Sequence, residues 1–245
     1  MTLKKLNEDD VQELVESTSV RLDSGNTSKW FWSTIIAEVC FLAPATFVLK
    51  HSSQITPEHI ITNIVEVGWM WVIIHFILAV IFSFKKIAYG YQHWQFIVLC
   101  VVALIFSNIV YVPIFSFLAD REISGLSLYA SLLIVAGGWI YLLIVSIIQL
   151  RMLRSGHYRD GGYLHMKHLK YLIFIPLGYG LLMLAIAVWF DPSMMAEMIL
   201  PFLFCFIVSY AISLAWPEFL LLTIIKWKFE SARLDEKGMP FNSSS

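Results

Sequence analysis

Val65 to Lys86, VEVGWMWVIIHFILAVIFSFKK, decide the fold class. At a helical rise of about 1.5 Å per residue, this run is long enough to cross a hydrocarbon core about 30 Å thick. One histidine, His75, stands near its middle. Read at helical spacing, Gly68, Val72, His75, Ala79 and Ser83 fall on a single stripe. Trp69, Met70, Ile73, Ile74, Phe76, Ile77, Leu78, Ile81 and Phe82 occupy the other faces. A seam of small and polar residues opposite large apolar ones is expected to pack on neighbouring helices while the rest meets lipid.

The whole chain shares this character. It has 245 residues, of which 58% are hydrophobic and 14% charged, and its mean hydropathy is +0.72. Soluble domains carry about 25% charged residues, so this is the composition of an integral membrane protein. The formal net charge of −1 offers no bulk attraction to phosphate backbones, and no nucleic-acid partner is expected. Cys40, Cys100 and Cys205 all lie in apolar runs and read as small hydrophobes, not as disulfide halves or metal ligands. No cleavable signal peptide is expected, because the first 30 residues are polar and acidic.

The fold expected is an all-α integral membrane protein, a bundle of six transmembrane helices with a short amphipathic N-terminal helix on the cytosolic side. The spans fall at about 31–49, 65–84, 95–118, 127–150, 170–190 and 197–226. The last run is interrupted by Pro217 and is expected to kink there or turn along the inner surface. The domains read as residues 1–30, the transmembrane domain 31–226, and a cytosolic polar tail 227–245. Within 1–30, Leu6, Val11, Leu14, Val15 and Leu22 recur at helical spacing, and Asp23 to Lys29 read as a linker. The polar face of helix 7–22 carries Glu8, Asp9, Asp10, Glu13 and Glu16. Helices on the anionic inner leaflet are usually basic, so this one reads as a docking element for protein or as a solvated leader.

Lys and Arg set the orientation. With the N-terminus inside, every one of the 17 basic residues except Lys50 and Arg121 lies on the cytosolic side or at its edge. Both termini are therefore expected in the cytosol, in a bacterial cytoplasmic membrane. A candidate internal repeat accompanies this topology. Gly68-Trp69-Met70-Trp71 is similar to Gly138-Trp139-Ile140-Tyr141 at an offset of 70, and that offset also brings Pro44 within one residue of Pro113.

Polar groups inside the bilayer are the sharpest functional clue, because a mid-membrane charge costs roughly 2.5–3.5 kcal/mol on insertion scales. Glu38 in the first span, His75 in the second and Glu218 low in the sixth stand out, with Asn108 a milder case. By helix rise, Glu38 and His75 differ in depth by about 5 Å, close enough for antiparallel neighbours to bring them together. Imidazole titrates near neutral pH, so a carboxylate–imidazole couple can handle protons or ions. The alternative is a hydrogen bond that only fixes helix packing. Glu218, beside Pro217, could meet Lys226 or lipid head groups.

The loop 151–170, RMLRSGHYRDGGYLHMKHLK, supplies candidate metal ligands in His157, His165 and His168. His165 and His168 are spaced to share a helix face. Membrane desaturases and hydroxylases place histidine boxes in similar loops, but HxxxH and HxxHH boxes are missing here, and no metal or cofactor is expected. The plainer reading is a basic loop on anionic lipid. No G-x-S-x-G, HExxH, Walker A or G-x-G-x-x-G is present, so the chain leans away from enzymes.

Six spans, a cytosolic N-terminal helix and short outer loops resemble the layout of ABC-2-type permease subunits. That resemblance implies a transport role and a separate cytosolic ATPase as partner, docked through helix 7–22, since nothing here binds ATP. The function expected is a small permease or the membrane subunit of a larger transport complex. The alternatives are a non-transporting interaction protein (an assembly factor, immunity protein or sensor subunit) and a membrane-embedded enzyme.

Overall fold

The computed structural model describes residues 23–55, 60–120, 125–154, 192–229 and 232–233, together with positions 178 and 182. The described residues form seven helices: α1 (Ser24–His51), α2 (Ile60–Ser83), α3 (Lys85–Gly90), α4 (Gln92–Ile109), α5 (Val112–Asp120), α6 (Gly125–Arg154) and α7 (Pro192–Lys228). Five stretches are long and apolar enough to cross a membrane: Gly25–His51, Ile60–Ser83, Gln92–Asp120, Val135–Met152 and Leu203–Lys228. In lipid every backbone polar group must be satisfied within the chain, which is why such apolar runs fold as helices. The helix expected at 7–22, and the span expected at 170–190 apart from positions 178 and 182, lie outside the described residues.

The first helix starts earlier than the apolar run suggests. Asp23 caps it by accepting from the Asn26 amide, and the Thr27 hydroxyl donates to the Asp23 carbonyl. The Asp23–Lys29 segment is thus a cap and the first turns of α1, where the sequence reads as a linker. Contact with α2 holds these turns in place: Ser28 Oγ donates to the Phe82 carbonyl at 2.6 Å, and Trp32 Nε1 to Ser83 Oγ at 3.0 Å. Further along, Trp69 Nε1 donates to Thr46 Oγ1 at 2.8 Å, so the two helices run antiparallel. Leu42 fills the space left by Gly68, where an added Cβ would come within 2.8 Å of Leu42 Cδ2. Close approach at a small residue is how helices associate in lipid.

The buried face of α2 is Ile61, Val65, Gly68, Val72, His75, Ala79 and Phe82. Four members of the expected stripe are there. The fifth, Ser83, is exposed and Phe82 is buried in its place, because the buried face keeps alternating steps of four and three from Ile61 to Phe82, whereas Ser83 would be a second successive step of four. Met70, Ile73, Ile74, Phe76, Ile77 and Ile81 are exposed on the opposite faces.

α4 and α7 form the second antiparallel pair. Lys226 Nζ donates to Gln92 Oε1 at 2.7 Å, Trp216 Nε1 to the Cys100 carbonyl at 2.8 Å, and Ser209 Oγ to the Ser107 carbonyl at 3.0 Å. α7 continues as helix through Pro201 and Pro217, although the sequence suggests an interruption at Pro217. A proline removes one donor, and α7 stays helical across it while packing closely along α4, with Phe219 edge-on to Trp30 of α1. The third span is the one that breaks. The α-helical hydrogen-bond ladder lapses at Tyr111, just ahead of Pro113, where the Tyr111 amide donates to the Asn108 carbonyl at 3.0 Å while Val110 keeps helical backbone angles.

Two large apolar clusters result, beside a smaller one of Val48, Ile55 and Ile61. One joins Phe31, Leu42, Val72, Phe82, Phe96, Leu99 and Leu222, and the other joins Phe106, Val110, Tyr111, Tyr141, Val145, Phe206 and Tyr210. α1 lies against α2, α4 and α5, while α6 packs on α7.

Candidate functional site: a buried carboxylate–imidazole pair

Glu38 stands midway along α1 on the face turned to α2. Its carboxylate meets His75 Nδ1 at 2.8 Å through Oε2 and Trp71 Nε1 at 3.0 Å through Oε1. Trp71 and His75 are four residues apart on α2 and therefore share a face, so one helix presents a donor to each carboxylate oxygen. Glu38 and His75 are both 0% exposed. The contact is direct.

Aromatic rings close the site. Phe31 stands edge-on to His75, with ring centroids 5.8 Å apart, and Trp71 lies tilted beside the imidazole at 6.0 Å. Phe82 packs on the far side of Phe31. The other imidazole nitrogen, His75 Nε2, is buried without a hydrogen-bond partner.

This arrangement constrains the protons. The pair has electrically neutral states, in which the interior holds no uncompensated charge. There are two: carboxylate with imidazolium, or carboxylic acid donating to Nδ1 of neutral imidazole. Both place a proton on Nε2. The charged alternative, carboxylate with neutral imidazole donating from Nδ1, leaves Nε2 as a lone pair. Loss of a proton from the pair thus changes both its net charge and the character of Nε2.

The remaining candidate residues lie elsewhere. Glu218 is buried on α7, while the bonds of Glu38 and His75 go to each other and to Trp71. Lys226, a partner the sequence offered to Glu218, instead donates to Gln92 and lies 4.9 Å from the Phe96 ring centre. Asn108 sits on α4 just before the helix break, donates from Nδ2 to the Leu104 carbonyl at 2.7 Å, and accepts from Trp139 Nε1 at 3.1 Å. His157, His165 and His168 lie outside the described residues. Among the described residues no group of three His, Cys, Asp or Glu side chains could hold a metal ion. Of the cysteines, Cys100 and Cys205 are buried and Cys40 is exposed, all as free thiols.

Sequence reasoning found both members of the pair but not Trp71. The i, i+4 spacing to His75 was the available signal, obscured because tryptophan is also an ordinary lipid-facing residue. No protein-family model, curated protein or solved structure matches this chain.

Proposed function

We propose that this chain is a small permease, or the membrane subunit of a larger transport complex, in which Glu38 and His75 handle a proton or ion during transport. One observation carries this reading: a carboxylate and an imidazole, fully buried between two membrane-crossing helices, are bonded directly and leave Nε2 unshared. Ionisable groups at such depth are expensive, and in membrane proteins they commonly mark proton relays and ion paths. In this reading the chain crosses a bacterial cytoplasmic membrane six times, and the distribution of Lys and Arg supports both termini on the cytosolic side. An acidic helix at 7–22 would then face the cytosol, suited to docking an ATPase or another subunit.

A second reading is favoured by the tightness of the same site. Phe31, Leu42 and His75 are all fully buried, as a packing clamp would be. The chain would then be a non-transporting interaction protein whose polar pair fixes the α1–α2 register.

The full chain in proteoliposomes separates the two. Solute-induced currents across a panel of small solutes are expected for wild type, changing with pH, and are expected to vanish in His75→Ala while the protein remains folded. Currents unaffected by His75→Ala would remove the pair from transport. Absence of current throughout, with a stable copurifying membrane partner, would support the interaction protein instead. A copurifying ATPase would identify the chain as a subunit.

A further inference from the structure

A second polar station lies beside the break between α4 and α5. The cleft there is half open, takes Leu104, Val135 and Leu142 as its apolar lining, and has about 10 Å³ open to the centre of a water-sized sphere, close to the minimum that one water needs. Its polar lining is Ser107 and Asn108 of α4, Tyr111 at the break, Trp139 of α6 and Ser209 of α7, with Gly138 completing the wall. None of the lining residues is charged. Hydroxyls and an amide oxygen together offer both donors and acceptors, the complement a water requires and an ion does not.

The fold accounts for the space. Pro113 has no amide to continue the helix, so the chain turns at Val110–Tyr111 and the α4 helix ends beside Asn108. Gly138 opposite contributes no side chain, and a Cβ there would find Tyr210 only at 3.7 Å. The Tyr111 hydroxyl is buried; it lies within electrostatic reach of Ser209 but makes no hydrogen bond of full geometry. A buried hydroxyl left so costs about 1–3 kcal/mol, which a bridging water recovers.

This station is similar to the charged one in kind, although at an offset of 70 Trp139 aligns with Trp69, which donates to Thr46, and not with Trp71. Glu38 and Asn108 are 70 residues apart, the offset that also aligns Gly68-Trp69 with Gly138-Trp139. Each accepts an indole N–H from a later helix, Glu38 from Trp71 and Asn108 from Trp139. α1 and α4 run in the same direction, since Gln95 donates to Ser28 at one end and Phe106 lies against Phe41 further along. The two acceptors therefore lie at similar depth, within about a helical turn.

We infer that the cleft at the α4–α5 break is a hydration site that holds one water against Tyr111, Asn108 and Ser209, within about a helical turn of the depth of the Glu38–His75 pair. It stands independently of the transport reading.

Hydroxyl-radical footprinting of the full chain in lipid nanodiscs tests it, because a bound water delivers radical to residues that bulk solvent does not reach. Corrected for intrinsic reactivity, Tyr111 is expected to be labelled several-fold faster than Phe96, which is equally sealed but lies in the apolar core. Asn108→Leu is expected to bring Tyr111 down to the Phe96 rate. Wild-type Tyr111 labelled no faster than Phe96 would overturn the assignment, and that comparison stands even if the variant does not fold. A folded Asn108→Leu with undiminished Tyr111 labelling would also overturn it.

Discussion

His75 Nδ1 lies 2.8 Å from Glu38 Oε2, and neither side chain is exposed. The two helices that carry them are stitched on either side of this contact, by Trp32–Ser83 towards one end and Trp69–Thr46 towards the other. Removing one partner leaves the other uncompensated, at a cost of about 3–5 kcal/mol in buried soluble pairs and less where the unfolded chain stays in lipid. The single variants Glu38→Leu and His75→Leu are therefore expected to destabilise more than the double variant does. Equilibrium unfolding in mixed micelles reads this directly, and strictly additive losses would dissociate the pair energetically.

Trp71 is expected to matter through its N–H. Trp71→Phe keeps an aromatic ring on the same face and removes one donor from a buried carboxylate, for a loss of about 1 kcal/mol. Folding free energies of the two proteins provide the check. A Trp71→Phe variant as stable as wild type would show that Glu38 Oε1 finds another donor.

Gly68 tests the closeness of α1 and α2. Gly68→Ala meets only the flexible end of Leu42 and is expected to be mild. Gly68→Leu overfills the contact and should cost about 1–3 kcal/mol. Leu42→Ala in the Gly68→Leu background should restore part of that loss by returning the volume. Failure of this rescue would point to a contact other than Leu42.

The membrane disposition of α2 is open to labelling. With Cys40, Cys100 and Cys205 replaced by alanine, Gln54→Cys and Tyr91→Cys bracket a single crossing. An impermeant maleimide is expected to reach them from opposite sides of the membrane, Tyr91→Cys from the cytosol. Labelling of both from one side would mean that α2 does not span.

Much of the pair's environment was legible in the sequence, because helix periodicity alone put Gly68, Val72, His75 and Ala79 on one face. The depth of Glu38 followed from counting residues along a helix of fixed rise. The register was not legible at either end of a helix. Asp23–Lys29 looks like a linker by composition, yet Asp23 is a cap and Ser28 finds a partner 54 residues away. The behaviour of the prolines was equally hidden. Pro217 sits within α7 while α4 ends ahead of Pro113, and composition alone does not separate the two.

By itself the sequence determined that this is a helical membrane protein, where its apolar runs fall, and which stripe of the helix around His75 turns inward. Those properties are local, since the bilayer reads each segment by its own hydropathy and a helix repeats every 3.6 residues. Only the tertiary structure decided that Glu38 touches His75 directly, that Trp71 supplies the second donor, and that Asn108 meets Trp139 beside a water-sized cleft. Such pairings join residues tens of positions apart, and they depend on helix rotation and register, which no single segment encodes.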